Sequence, residues 1–365
     1  MSDLGPPTLS AGVLPAALPS VELTGLAVEL PPTRVSSAQL AASLGIAEEW
    51  ILSRTGIRER RHAQPDERLS DFAARAGARA LAAAGLEASA LDLVIVATIT
   101  ADEVTPAAAP IVARALGATR AGAFDLSAAC TGFLTGLSLA AGQIESGRAT
   151  HVLLIGADFL SRITDMTDRR SAPLFADGVG AVVLSAGAPQ PTAGRGALGS
   201  LGPVILACDG DPGRALYAEH SERLLRMDGT EVFRLAVAHM GEATVDAIAA
   251  AGLGIDDIDL FVYHQANARI TRALRERLGL PVERVVDCIE LIGNPSAATL
   301  PLALAHAIET GRLAPGMRVL LSAFGAGFTW GACVLHWGAT AYSPSPTLSA
   351  TSHSGAPAAH QPARV

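Results

Sequence analysis

A cysteine, a histidine and an asparagine stand at related places in two copies of one pattern. The string AAAGL at Ala82–Leu86, followed by a strand-like LDLVIVA, returns at Ala249–Leu253, followed by IDLFVYH. A second pair, IESGR at Ile144–Arg148 and IETGR at Ile308–Arg312, repeats with nearly the same displacement. Carried along the chain, the second displacement takes Cys130 onto Asn294, and the first takes Ala97 onto His264. A thiol and an amide thus occupy matching strand-to-helix turns of the two halves, while a histidine ends a strand in only one. A symmetric scaffold with unlike side chains at matching turns is the pattern of an active site.

Each of the three has a chemistry. In FDLSAACTGFLTGL, Cys130 falls where a strand gives way to a helix. Unpaired N–H groups and the positive end of the helix dipole favour thiolate over thiol there, which would make a nucleophile. A lone cysteine in an Ala/Gly-rich stretch is equally read as a small buried hydrophobe. His264 opens HQANARI directly after an apolar strand, and Asn294 lies in LIGNPSAATLPLALA before an apolar helix. Taken singly, the first is a core histidine and the second a helix cap. Taken with Cys130 they form a cluster that no core requires. Neutral His and Asn both donate hydrogen bonds, so both can stabilise an oxygen that gains negative charge. The glycine-rich FGAGFTWG (Phe324–Gly331) lets backbone approach a ligand and expose N–H groups, as an oxyanion hole needs; a tight β-turn would use the same residues. Asp125, Asp158 and Asp177 read as structural.

The elements that must position these side chains alternate. Asp71–Ala84 carries helix formers behind a Ser70 suited to cap it, and Leu93–Ala97 is a short apolar run typical of a buried strand. Gly122–Asp125 reads as a strand, about Thr131–Glu145 as a helix and His151–Gly156 as a strand; the same order recurs from Val232 to Ser322. Such alternation implies an α/β protein with sheets covered by helices on both faces. The reading divides the chain into a flexible N-terminus (1–18), a half bearing the cysteine (19–190), a half bearing the histidine and asparagine (191–337) and a disordered Pro/Ser/Ala-rich tail (338–365).

Composition narrows the function. Half of the 365 residues are apolar and 17% are charged, enough for a sizeable core. A net charge of −8 argues against a nucleic-acid binder, since phosphate neutralisation wants a basic surface. No apolar run approaches the roughly 20 residues that span a bilayer, and no secretory signal opens the chain, so a cytoplasmic enzyme is expected. The four cysteines are widely spaced without a C-x-x-C pair, which suggests neither a disulfide framework nor a metal site. HExxH, P-loop and strand-linked GxGxxG patterns are missing, so no cofactor is expected.

In this order, FDLSAACTGF, HQANARI, GNPSAA and FGAGFTWG, with WILSRTGIRERR at Trp50–Arg61, resemble β-ketoacyl-acyl-carrier-protein synthase III of the thiolase superfamily. The resemblance spans roughly Val21 to Trp337. It implies a thiolase fold, a duplicated five-layered αβαβα architecture, usually as a homodimer. It also implies that Cys130 takes an acyl group from acyl-CoA, and that malonyl-acyl carrier protein then enters. His264 and Asn294 would hydrogen-bond its thioester carbonyl during decarboxylation, and the resulting carbanion would attack the Cys130 ester. The N–H groups of Cys130 and Ala326, in the closing loop with Gly325, would hold the tetrahedral oxyanion, and Phe324 would line the cysteine. By the same resemblance Trp50 and Arg169 flank the CoA adenine and Arg54 meets its phosphates. Thr105, where many members carry a bulky aromatic, would line and deepen the acyl pocket. Arg234 and Arg269 match positions that meet acidic carrier protein, though Glu276 interrupts the basic run of that helix. Relatives that pass the Cys-bound acyl group to a hydroxyl, an amine or a carrier-bound acceptor are the competing expectation.

Overall fold

Strand alternation decides which layer each side chain feeds, because successive residues of a strand point to opposite faces. In the computed structural model, which describes residues 17–191, 199–210, 214–338 and 340–345, strand His151–Phe159 sends Val152 and Leu154 into a central core. Its Leu153 and Ile155 enter an outer one. Strand Arg318–Gly325 sends Val319, Leu321 and Ala323 into the same central core, and Leu320 and Phe324 into a third. Each sheet therefore has two buried faces and needs helices on both.

The helices supply them. Leu69–Ala84 and Ala108–Leu116 cover one outer face, and Gly229–Ala250 and Ala268–Arg277 cover the other. Gly132–Glu145 and Thr299–Glu309 lie between the sheets, and their Leu134, Leu137, Leu300 and Leu304 are at most 1% exposed. The result is the expected sequence of helix, sheet, helix, sheet, helix.

The repeat is visible in the strand order. The larger sheet runs Ala341–Ser343, Ala17–Glu29, Asp177–Pro191, His151–Phe159, Leu93–Ala97, Gly122–Leu126. The smaller runs Leu201–Cys208, Thr329–His336, Arg318–Gly325, Leu260–Tyr263. In both, a short strand, Leu93–Ala97 or Leu260–Tyr263, pairs in parallel with a longer one, which then pairs antiparallel with its successor. Where the larger sheet places Gly122–Leu126 before the cysteine turn, the smaller has a lone parallel bridge between Phe261 and Val285 before the asparagine turn. The matching turns inferred from the repeated strings are thus matching places in the fold.

Three expectations need correction. The tail does not begin at residue 338: Ala341–Ser343 is a strand that pairs in parallel with Gly25–Ala27, because the edge of the larger sheet offers it backbone partners. At the other end, Ala17 and Leu18 already belong to a strand paired with Asp177–Pro191; residues 1–16 and 346–365 of the expected flexible ends lie outside the described residues. Finally, Ser70 does not cap its helix. It lies within the first turn, and the Asp102 carboxylate accepts the Leu69 and Ser70 N–H groups at 2.8 and 2.9 Å.

The remaining acidic residues are structural, as read. Asp125 accepts the N–H groups of Ala108 and Ala109 at 2.8 and 2.7 Å, stabilising a helix start. Asp177 ties Ala63 to Ser161. Asp158, fully buried, accepts from Thr98, Ile99 and Thr100 and from the N–H of Ala297, which pins the asparagine turn to the end of strand Leu93–Ala97.

Candidate active site

Cys130, His264 and Asn294 line one cavity of about 750 Å³, with Phe324 beside them. Cys130 sits in the single turn Ala129–Thr131 that leads into helix Gly132–Glu145, and Ala129 takes a positive φ of 46°. The closing loop presses on this turn. A methyl at Gly325 would lie 2.8 Å from the Cys130 nitrogen, a contact only glycine avoids. The Thr131 and Thr329 hydroxyls, 2.7 Å apart, fasten the two segments together.

The thiol itself differs from expectation. Burial pushes it up to about 12, the Ser296 hydroxyl opposing and the Asp158 carboxylate adding to the rise. Loss of water favours the thiol, so the sulfur must give up its proton during attack.

His264 follows strand Leu260–Tyr263, its N–H bonded to the Ser322 carbonyl at 2.8 Å, and the side chain is buried. Burial alone lowers its imidazole, to about 3, so the ring is neutral. Its Nδ1 is 2.5 Å from the Thr299 hydroxyl, leaving Nε2 for the cavity.

Asn294 is held by both backbone groups: its N–H donates to the Leu174 carbonyl and its carbonyl accepts from Ala176, each at 3.0 Å. Its side-chain Oδ1 accepts the Ser296 N–H at 2.9 Å, so the amide NH₂ is the end left over for the cavity. The side chain caps no helix. The turn is sharp because Gly293 (φ 62°) and Ser296 (φ 48°) are both left-handed, and a methyl at Gly293 would stand 3.0 Å from Ala176 Cβ. Two hydrogen-bond donors and a thiol on one chamber can load an acyl group and stabilise an enolate oxygen.

The outer residues divide. Trp50, Arg54, Arg169 and Arg269 line the mouth of the same cavity. The Arg54 guanidinium lies 4.3 Å over the Trp50 ring, Arg169 Nε donates to the Leu44 carbonyl at 3.2 Å, and Arg269 Nη2 donates to the Ser53 carbonyl at 3.1 Å. Arg234 is exposed, outside the cavity and ion-paired with Glu231 at 2.6 Å. Ala326 borders a second cavity of about 650 Å³ behind the cysteine turn, with Ser127, Ala128 and Ala129; Leu216 is common to both cavities. Thr105 stands apart from both cavities within the single chain. It lies exposed next to Val104, itself 85% exposed, and borders neither cavity, because the chain runs over the surface before helix Ala108–Leu116 begins. Residues that sequence reasoning missed are Thr299 and Ser296. Nothing in the spacing shows that a threonine 35 residues beyond His264 touches its ring.

Comparison with known proteins gives one answer. Residues 124–202 match the family 3-oxoacyl-[acyl-carrier-protein (ACP)] synthase III, and residues 248–337 match its C-terminal domain. The chain is 45% identical over 329 residues to beta-ketoacyl-[acyl-carrier-protein] synthase III 3 of Streptomyces coelicolor, covering 86% of this chain and 96% of the relative. The structure of 3-oxoacyl-(acyl carrier protein) synthase III from Pseudomonas aeruginosa superposes with a TM-score of 0.83 at 42% identity, covering 88% of this chain and 99% of that one. A priming β-ketosynthase of a polyketide biosynthetic pathway superposes at 0.82 with 36% identity, covering 91% and 99%. The chain therefore belongs to the 3-oxoacyl-[acyl-carrier-protein] synthase III family, and is an acyl-transferring, condensing enzyme on a thiolase fold.

Proposed function

We propose that the enzyme loads an acyl group from acyl-CoA onto Cys130 and condenses it with malonyl-acyl carrier protein. The observation that carries this reading is the meeting of Cys130, His264 and Asn294 on one cavity whose mouth presents Trp50, Arg54 and Arg169. In loading, the Cys130 S–H bond breaks, its proton passes to His264 Nε2, and the sulfur bonds the acyl carbon. The C–S bond to CoA breaks, and the departing sulfur takes the proton back. A thiol raised by burial needs this relay. In condensation, the bond from the malonyl methylene to its carboxylate breaks and carbon dioxide leaves. The electron pair enters an enolate whose oxygen accepts from His264 and Asn294, and then attacks the Cys130 ester. The N–H groups of Cys130 and Ala326 hold the tetrahedral oxygen, the sulfur departs, and a proton from solvent restores the thiol. No resident cofactor takes part.

The acyl chain turns at Leu216 into the second cavity, where Ile99, Ile163 and Leu225 offer apolar walls. CoA lies against Trp50 with Arg54 and Arg169 near its charged end, and Arg269 at the mouth meets the carrier protein. Arg234 contributes less, because Glu231 neutralises it. The working unit is a homodimer: among the described residues edge strand Gly122–Leu126 pairs on one side only, and its Phe124 is 39% exposed. Among the described residues no helix is long and apolar enough to cross a membrane, and the reaction is assigned to the cytoplasm. Incubation with acyl-CoA and malonyl-carrier protein tests the reading: carbon dioxide release with a β-ketoacyl product supports it, whereas acyl loading without decarboxylation would assign the enzyme to acyl transfer.

A further inference from the structure

His264 is asked to do two opposite things. During loading Nε2 must accept a proton, and during condensation it must donate a hydrogen bond. A neutral imidazole carries one N–H, so each role needs a different tautomer. The group that touches the other nitrogen decides which tautomer is available, and here that group is a hydroxyl.

Thr299 Oγ1 lies 2.5 Å from His264 Nδ1 and 3.0 Å from the Ser296 carbonyl oxygen. All three groups are buried, and the threonine opens helix Thr299–Glu309. A hydroxyl has one proton and can also accept. If it donates to Ser296, Nδ1–H donates to it and Nε2 faces the chamber with a lone pair. If it donates to Nδ1, Nε2–H faces the chamber. Both arrangements satisfy Nδ1, so neither tautomer is penalised. A carboxylate at this place would accept only and would hold the ring in the first form; burial is the sole influence on the His264 imidazole, which fits a neutral partner. Departure of CoA between the two half-reactions admits water, through which the ring can exchange its proton.

We propose that Thr299 is a positioning residue whose two-way hydroxyl gives His264 both tautomers, Nδ1–H for loading and Nε2–H for condensation. The inference rests on the condensation reading above, and its test separates the two. Thr299→Val keeps the shape and removes both hydrogen-bond roles. A protonated Nδ1 would then be a buried donor without a partner, the rarer defect in folded proteins, so the ring shifts to Nε2–H.

The experiment measures loading from acyl-CoA, and then a single turnover with malonyl-carrier protein after loading has been allowed to finish. Thr299→Val should slow loading about tenfold or more while leaving the condensation turnover within about twofold, and Thr299→Ser should restore loading. Nitrogen NMR of isotope-labelled histidine should show Nδ1–H populated in the resting wild type and lost in Thr299→Val. Equal slowing of both half-reactions, or unchanged loading, would overturn the proposal. If Thr299→Val does not fold, the wild-type spectrum decides: a ring that is Nε2–H alone, before and after acylation, would overturn it. If the wild type loads but never decarboxylates, the condensation reading fails while the spectrum still reports the tautomer.

Discussion

Gly325 packs against the nucleophile's own backbone: a methyl on it would lie 2.8 Å from the Cys130 nitrogen and 3.2 Å from its Cβ. The sulfur's position is therefore set from the C-terminal half. Gly325→Ala should displace the cysteine turn, slow acyl loading more than tenfold and cost about 1–3 kcal/mol of stability. Stopped loading assays and thermal melts check this, and a variant that loads at the wild-type rate would show that the contact is slack.

Asn294 presents its amide NH₂ only because Ser296 N–H occupies its oxygen at 2.9 Å. Asn294→Ala should spare loading and lower malonyl decarboxylation by about a hundredfold, the usual loss for one oxyanion donor. Cys130→Ala should abolish loading outright. Comparable loss of both steps in Asn294→Ala would contradict the division of labour.

The thiol's pH behaviour follows from its burial. A group raised to about 12 stays protonated through neutral pH, so its thiolate fraction grows with each pH step up to that value. The sign is the reverse of a thiol activated by a helix terminus. Alkylation of Cys130 by iodoacetamide, followed by peptide mapping, should keep rising past about pH 9 without a plateau. A plateau reached near neutrality would mean that the helix terminus wins after all.

At the cavity mouth the Arg54 guanidinium covers the Trp50 ring at 4.3 Å. If this pair holds the nucleotide end of CoA, Trp50→Ala should raise KM for acyl-CoA about tenfold with little change in kcat, the mark of lost ground-state binding. A fall in kcat at unchanged KM would place Trp50 elsewhere in the reaction.

Phe124 on the edge strand is the most direct handle on assembly. If two copies join through this edge, unpaired on one side among the described residues, Phe124→Lys puts a charge there and should leave a monomer, as read by sedimentation. A dimer of unchanged strength would move the interface to another face.

Much of this was legible in the chain. The repeated strings located Cys130 and Asn294 at matching turns, and apolar runs such as Leu93–Ala97 and His151–Gly156 marked buried strands, because both depend on local pattern. Contacts between distant segments were not legible. Thr299 against His264, Gly325 against Cys130 and Ala297 against Asp158 join residues whose meeting depends on how the two halves stack. The helix start beside Cys130 was legible as a local feature, whereas the burial that raises its thiol was not. Thr105 entered the site through the family resemblance, and within the single chain its loop is exposed. The strand Ala341–Ser343 escaped notice inside a Pro/Ser/Ala-rich tail because its partner, Ala17–Glu29, lies at the far end of the chain.

On the proposed reaction, Cys130 carries the acyl group which malonyl-carrier protein then removes. Intact-mass spectrometry with peptide mapping, first after acyl-CoA and again after malonyl-carrier protein, tests it in one sequence of additions. One acyl adduct is expected on the Cys130 peptide, discharged in step with carbon dioxide release and formation of a β-ketoacyl carrier protein. An adduct on any other residue, or a Cys130 adduct that persists when malonyl-carrier protein is added, would contradict it.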